Sequence, residues 1–120
     1  MDRSKVLAAL SALSHEHRLE LVHLLMSHGE TGLAAGEIGQ RLGLGASRLS
    51  FHLSALEQAG LIRSRRASRN VFYTTDLGGI GGTIAYLLNE CCMDHPEVMA
   101  CCRKGHVPQA KDQFSLSSES

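Results

Sequence analysis

A chain of 120 residues has room for one domain and can bury enough apolar surface to fold alone, without much to spare. Its 12 Lys and Arg balance its 12 Asp and Glu, so overall charge supplies no case for nucleic acid, membrane or an acidic partner, and any such case must rest on local charge. No stretch approaches the roughly 18 to 20 apolar residues of a membrane span, so the chain reads as soluble.

The first segment sets Lys5 before an apolar run ending at Ser14, which faintly copies the plan of a secretory signal. His15, Glu16, His17 and Arg18 follow at once, so a short amphipathic helix fits better, with Val6, Leu10 and Leu13 marking its buried face. Ser14 is placed to cap a second helix. On that helix Leu21, Leu24, Leu25 and His28 share a face, Arg18, Glu20 and His23 take wetter positions, and Gly29 ends it. The uneven spacing of His15, His17, His23 and His28 reads as surface and interface rather than as a ligand set. Residues 30–34 read as a loop.

Ala35 to Leu42 forms a short helix carrying Ile38 and Leu42 inward, and Gly43-Leu44-Gly45 supplies a tight turn. A further helix over Ala46 to Ala59 places Leu49, Leu53 and Leu56 on one side and stops at Gly60. Two short helices about a glycine-bearing turn make a helix-turn-helix, whose second helix enters the major groove. Leu61 to Arg66 and Asn70 to Thr75 are β-prone runs flanking Ala67-Ser68-Arg69, so a hairpin wing follows directly. The fold class is therefore mainly α with a β-hairpin wing.

Local charge agrees. Between Arg41 and Tyr73 stand Arg41, Arg48, Arg63, Arg65, Arg66 and Arg69 against Glu57 alone, a surplus of five positive charges. A solvated charged face is the bland alternative, but here the surplus coincides with a helix-turn-helix and a hairpin. The exposed face of the second helix should present Ser47, Arg48 and Phe51, with Arg48 suited to a bidentate contact to guanine and Phe51 to a thymine methyl. Ser50 and His52 either bond phosphates or pack inside. Arg65, Arg66 and Arg69 on the wing suit phosphate or a narrow minor groove.

A last helix runs from Thr83 to Glu90 through Ile84, Leu87 and Leu88. Gly78, Gly79, Gly81 and Gly82 each cost about 1 kcal/mol relative to alanine inside a helix. Either the helix begins late or tight packing against a partner compensates. All four cysteines then fall in two adjacent pairs, Cys91-Cys92 and Cys101-Cys102. Neighbouring Cα atoms lie about 3.8 Å apart, shorter than the roughly 4.4 to 6.8 Å that disulfides prefer. Free thiols clustered in a chain with no export signal point to a reducing, cytoplasmic setting and to metal or redox chemistry. From Arg103 onward the Ser-rich end reads as disordered. The organisation is thus a winged helix-turn-helix and dimerisation domain over 1–92, a cysteine-bearing segment over 93–102 and a tail over 103–120.

The stretch from Ala35 to Tyr73, especially Glu37-Ile38-Gly39-Gln40-Arg41-Leu42-Gly43-Leu44, Ser50-Phe51-His52-Leu53 and Leu56-Glu57-Gln58-Ala59-Gly60-Leu61-Ile62, resembles the ArsR/SmtB family of metal-responsive repressors. Leu10 to Leu25, with His17-Arg18-Leu19, is similar to that family's second-helix signature. The resemblance implies a homodimer joined through its first and last helices, which binds double-stranded operator DNA when empty and releases it when loaded. The family's site at the third helix is missing, since Leu33, Ala34, Ala35 and Gly36 stand there, and after Asp76 the last helix offers no zinc ligands. Asn89-Glu90-Cys91-Cys92 instead resembles the arsenic-sensing members, with a departure at the third ligand: Met99 stands where some of them carry it, and Cys101 and Cys102 follow.

Soft thiolates favour thiophilic centres over calcium or magnesium. Trivalent arsenic or antimony, as arsenite or antimonite, takes three sulfurs: Cys91 and Cys92 supply two, and the loop from Met93 to Ala100 folds back Cys101 or Cys102 as the third. Pro96 helps that loop leave the helix. Adjacent cysteines on an intact helix diverge by about 100°, so ligation requires local unwinding. Four sulfurs could instead hold zinc, cadmium or lead, and oxidation or persulfidation is a further alternative. His95 and His106 read as solvated. No Cys-x-x-Cys, phosphate loop or nucleophile-base pairing supports catalysis, so the chain is not expected to be an enzyme and needs no cofactor to bind DNA.

Overall fold

The first helix, α1 (Arg3–Leu13), starts where the Asp2 carboxylate accepts the Lys5 N–H at 2.9 Å and so satisfies one of the orphan donors of its first turn. Its buried stripe is Val6, Ala9 and Ala12. Leu10, expected inside, is 38% exposed, and Leu13 is half-buried. Two alanines let α1 lie close on the helices below it, and that close approach turns the bulkier Leu7 and Leu10 outward. The computed structural model describes residues 1–102 of the chain. The expected tail over 103–120, including His106, lies outside the described residues.

Helix α2 (Glu16–Ser27) is capped by His15 rather than by Ser14: the His15 Nδ1 accepts the His17 N–H at 3.1 Å. Ser14 closes α1 instead, its N–H reaching the Ser11 carbonyl. An imidazole lone pair does here what a hydroxyl usually does, and Glu16 in the first turn complements the helix dipole. Leu21 and Leu25 are wholly buried. The segment expected as a loop contains a two-residue strand, β1 (Leu33–Ala34). Too short to hold alone, it exists by pairing with Tyr73 and Phe72 of the hairpin.

Helix α3 (Ala35–Leu42) ends at Gly43, whose φ of +67 lies in the left-handed region that side-chain-bearing residues resist. The turn delivers the chain into α4 (Ala46–Gln58), whose Leu49, Leu53 and Leu56 are buried against α1, α2 and α3. Strands β2 (Ile62–Ala67) and β3 (Asn70–Thr75) pair antiparallel through a turn at Ser68 and Arg69, and β1 completes a sheet of order β1-β3-β2. Ile62 and Thr75, at the base of the hairpin, enter the core, while the positions between them on β2 face outward or lie half-buried.

Helix α5 (Leu77–Tyr86) begins earlier than expected and includes all four glycines. The Asp76 carboxylate accepts the Gly79 N–H at 3.1 Å. Gly79 lies so close to Gly60 that a Cβ there would collide with the Gly60 carbonyl. The glycine-rich start therefore brings two backbones of the same chain together, which offsets the poor helix propensity.

The chain divides after Thr83 into two compact units. In the second, Leu87–Cys91 forms a widened π turn: the Cys92 N–H reaches the Leu87 carbonyl at 2.8 Å, and the Asp94 N–H reaches that of Leu88 at 2.8 Å. Met93 and Asp94 follow with φ of +52 and +56. Where a loop was expected, Pro96 opens a short helix, α6 (Pro96–Cys101), because a first-turn proline lacks only an N–H that has no helical partner. No helix among the described residues is long and apolar enough to cross a membrane.

Candidate nucleic-acid interface and thiol cluster

The leucine spacing on α4 leaves the opposite face free, and that face carries Ser47, Arg48, Ser50 and Phe51, all exposed. Phe51 is 66% exposed, a large uncovered apolar surface on a helix otherwise well packed. His52 is the exception among the expected contact residues. At 4% exposure it packs inside and cannot reach a phosphate. Its Nδ1 accepts the Arg18 Nε–H at 3.0 Å.

Of the wing arginines, Arg66 and Arg69 are exposed and make no ion pair among the described residues. Arg65 is exposed but tethered: it donates to the Thr31 carbonyl at 3.1 Å and lies 5.0 Å from the Phe72 ring centroid. The remaining two arginines are partly offset by acids outside the counted window. Arg41 pairs with Glu37 at 2.9 Å, and Arg63 stands 4.0 Å from Asp76. The positive potential is thereby concentrated on Arg48 and the hairpin.

Spacing alone did not reveal Arg18. Read as a wetter position of α2, it is half-buried, and besides its bond to His52 it donates to the Ala12 carbonyl at 3.4 Å and stands 5.4 Å from the Phe51 ring centroid. Two of the histidines read as surface residues also gather here. His15 and His17 lie 4.6 Å and 5.7 Å from His52, centroid to centroid. Burial first, then His15, Arg18, His17 and Arg48, push the His52 pKa below the ordinary histidine value.

In the second unit Cys91, Cys101 and Cys102 are exposed and Cys92 is half-buried, all as free thiols. Partial burial pushes the Cys92 thiol pKa up, and the neighbouring thiols of Cys91 and then Cys102 push the same way. Among the described residues no three His, Cys, Asp or Glu side chains are gathered closely enough to hold an ion as they stand.

Residues 13–65 match the model of a helix-turn-helix domain family. The HTH-type transcriptional regulator YgaV of Escherichia coli is 38% identical over 85 residues, 71% of this chain and 84% of that protein. The structure of reduced HlyU from Vibrio cholerae superposes with a TM-score of 0.56 at 32% identity, covering 74% of this chain and 90% of that one. An ArsR-like transcriptional regulator from Rhodococcus shares the fold with a TM-score of 0.67 at 22% identity, covering 88% of this chain and 96% of its own.

Proposed function

Because the chain belongs to the ArsR/SmtB family of winged-helix transcriptional regulators, we propose that it is a repressor that grips operator DNA as a homodimer and releases it when trivalent arsenic or antimony joins its C-terminal thiols. The observation that carries the DNA half is the outward face of α4, with Arg48 and Phe51 uncovered beside a hairpin bearing Arg66 and Arg69. A guanidinium fork and an apolar ring on one helix face suit base edges in the major groove, and the wing arginines suit the adjacent backbone. In the dimer, two such helices meet half-sites about 34 Å apart. The exposed Leu7 and Leu10 of α1 are apolar surface that a second copy would cover.

The inducer half is supported by the two adjacent free-thiol pairs, Cys91-Cys92 and Cys101-Cys102, which offer the three soft donors that a pyramidal metalloid takes. The π turn and the two left-handed residues after it already depart from α-helical geometry at the cysteine pair, so sulfurs that would diverge on a regular helix need a smaller rearrangement to converge. Cadmium, lead and zinc are rival occupants of the same thiols. Linkage requires that an ion weakening DNA binding by about 2 to 3 kcal/mol be held that much less tightly by the DNA complex.

The similarity to a regulator whose structure is described in a reduced state favours a second reading, in which the same thiols respond to oxidation or persulfidation. One experiment separates the two. Operators are selected from random duplexes, then challenged by gel shift under reducing conditions with arsenite, antimonite, cadmium, lead and zinc, and separately with peroxide or polysulfide. Release by arsenite in the presence of reductant, lost in Cys91→Ser/Cys92→Ser, supports the metalloid reading. Release only by oxidants, reversed by reductant, replaces it with the second.

A further inference from the structure

Arg18 touches three parts of the first unit at once. Its Nε donates to His52 Nδ1 at 3.0 Å on the buried side of α4, and its Nη1 donates to the Ala12 carbonyl at 3.4 Å in the last turn of α1. Its guanidinium carbon stands 5.4 Å from the centroid of Phe51, the ring that α4 turns outward. One side chain on α2 thus links the end of α1 to both the inner and the outer face of α4.

We propose that Arg18 is a positioning residue for DNA recognition, holding α4 in register with α1 and α2 through its bond to a neutral His52 and its contact with Phe51. The inference rests on the operator-binding reading. The required protonation state follows from donor chemistry. The Arg Nε always carries hydrogen, so His52 must offer a lone pair at Nδ1 and keep its proton on Nε2. A protonated His52 has no acceptor left and would set an imidazolium against a guanidinium.

The groups facing His52 all oppose that protonation. His15 at the α2 cap and His17 in its first turn lie 4.6 Å and 5.7 Å away, Arg18 comes from α2, and Arg48 comes from α4 itself. Two acids belong to the same turns of α2: Glu16, between His15 and His17 in sequence, and Glu20, whose carboxylate is 3.7 Å from His17 Nδ1, a nitrogen buried without a hydrogen-bond partner among the described residues. The cluster therefore holds His52 neutral near neutral pH. Acidification that charges His52 breaks the bond that Arg18 depends on.

The test measures operator affinity by fluorescence anisotropy from pH 8 down to pH 5, with circular dichroism at each pH to count folded protein, for the full chain and for Arg18→Ala, Arg18→Lys and His52→Asn. Asparagine places its Oδ1 near the position of the histidine Nδ1 and cannot be charged. At pH 8 both Arg18 variants should bind the operator at least about tenfold more weakly, about 1.4 kcal/mol, while their affinity for random duplex stays within about twofold. The wild type should lose operator affinity as pH falls while still folded, and His52→Asn should flatten that profile. Arg18 variants that bind like wild type, or a His52→Asn profile that follows wild type, overturn the proposal. Should Arg18→Ala fail to fold, the comparison of wild type with His52→Asn decides. A wild type that selects no duplex overturns the operator reading and this inference with it, whereas a binding wild type with indifferent variants overturns this inference alone.

Discussion

The same substitution at two glycines of α5 should have opposite signs. Alanine is favoured over glycine inside a helix by about 1 kcal/mol. At Gly81 an added Cβ meets nothing within 4 Å among the described residues, so Gly81→Ala should gain most of that preference. At Gly79 the new methyl would collide with the Gly60 carbonyl, a backbone group that cannot rotate aside. Overpacking of that kind costs about 1 to 3 kcal/mol, and a backbone obstacle belongs at the upper end. Subtracting the propensity gain leaves Gly79→Ala less stable by about 1 to 2 kcal/mol. For a domain of this size that is a fall in Tm of roughly 4 to 12 °C, against a rise of a few degrees for Gly81→Ala. Thermal melts at equal protein concentration measure both, since a dimer's stability depends on concentration. A Gly79→Ala chain at least as stable as wild type would refute the close approach of α5 to Gly60.

Arg48→Ala should relax sequence choice, costing about 1 to 3 kcal/mol on the preferred operator and little on random duplex. Arg66→Ala and Arg69→Ala should weaken all duplexes alike and each flatten the salt dependence by about one unit of slope, read from anisotropy titrations over a salt series. Because the folded-state pKa of His52 is depressed, the unfolded chain takes up protons first as pH falls. The stability His52 contributes is therefore complete above the unfolded value of about 6.5 and lost as pH drops through it toward the folded value. Urea midpoints at pH 8 and pH 5 should differ more for wild type than for His52→Asn. Cys91→Ser/Cys92→Ser should keep operator affinity within about twofold while losing release by arsenite, because the thiols belong to the second unit and the reading face to the first; a gel shift on the selected operator reports both.

Most of the helix-turn-helix and its wing was legible in sequence, because Leu49, Leu53 and Leu56 keep helical spacing and Gly43 can end a helix only one way. The misses have distinct physical causes. On α1 the eye follows leucines, but close packing selected Ala9 and Ala12 for the inside. Strand β1 has no local signature, since two residues are extended only because β3 lies beside them. The start of α5 contradicts glycine's low propensity, and the reason lies at Gly60, far along the chain. Arg18 and His52 were each placed from their own neighbours in sequence, whereas their roles come from each other across 34 residues. Charge was read correctly in sign but too generously in amount, because Glu37 and Asp76 stand just outside the basic stretch.

That reduced charge bears on how such a protein can be switched. Counting Arg48, Arg65, Arg66 and Arg69 on each chain, the proposed dimer offers at most eight arginines to phosphate or base, in a molecule whose charges otherwise sum to a negative value and whose net charge is zero. A grip of roughly 6 to 10 phosphate contacts loses about 10³ to 10⁵ in affinity between 50 and 200 mM salt. At cellular ionic strength the electrostatic hold is therefore already weakened, and the fit of two recognition helices to their half-sites must supply the rest. A bond network that fixes α4, such as that of Arg18 with His52 and Phe51, then matters more than another cation on the wing. An inducer coupled to operator binding by only about 2 to 3 kcal/mol is enough to empty the site, because it acts on the geometric part of the affinity and leaves no large nonspecific attraction to overcome.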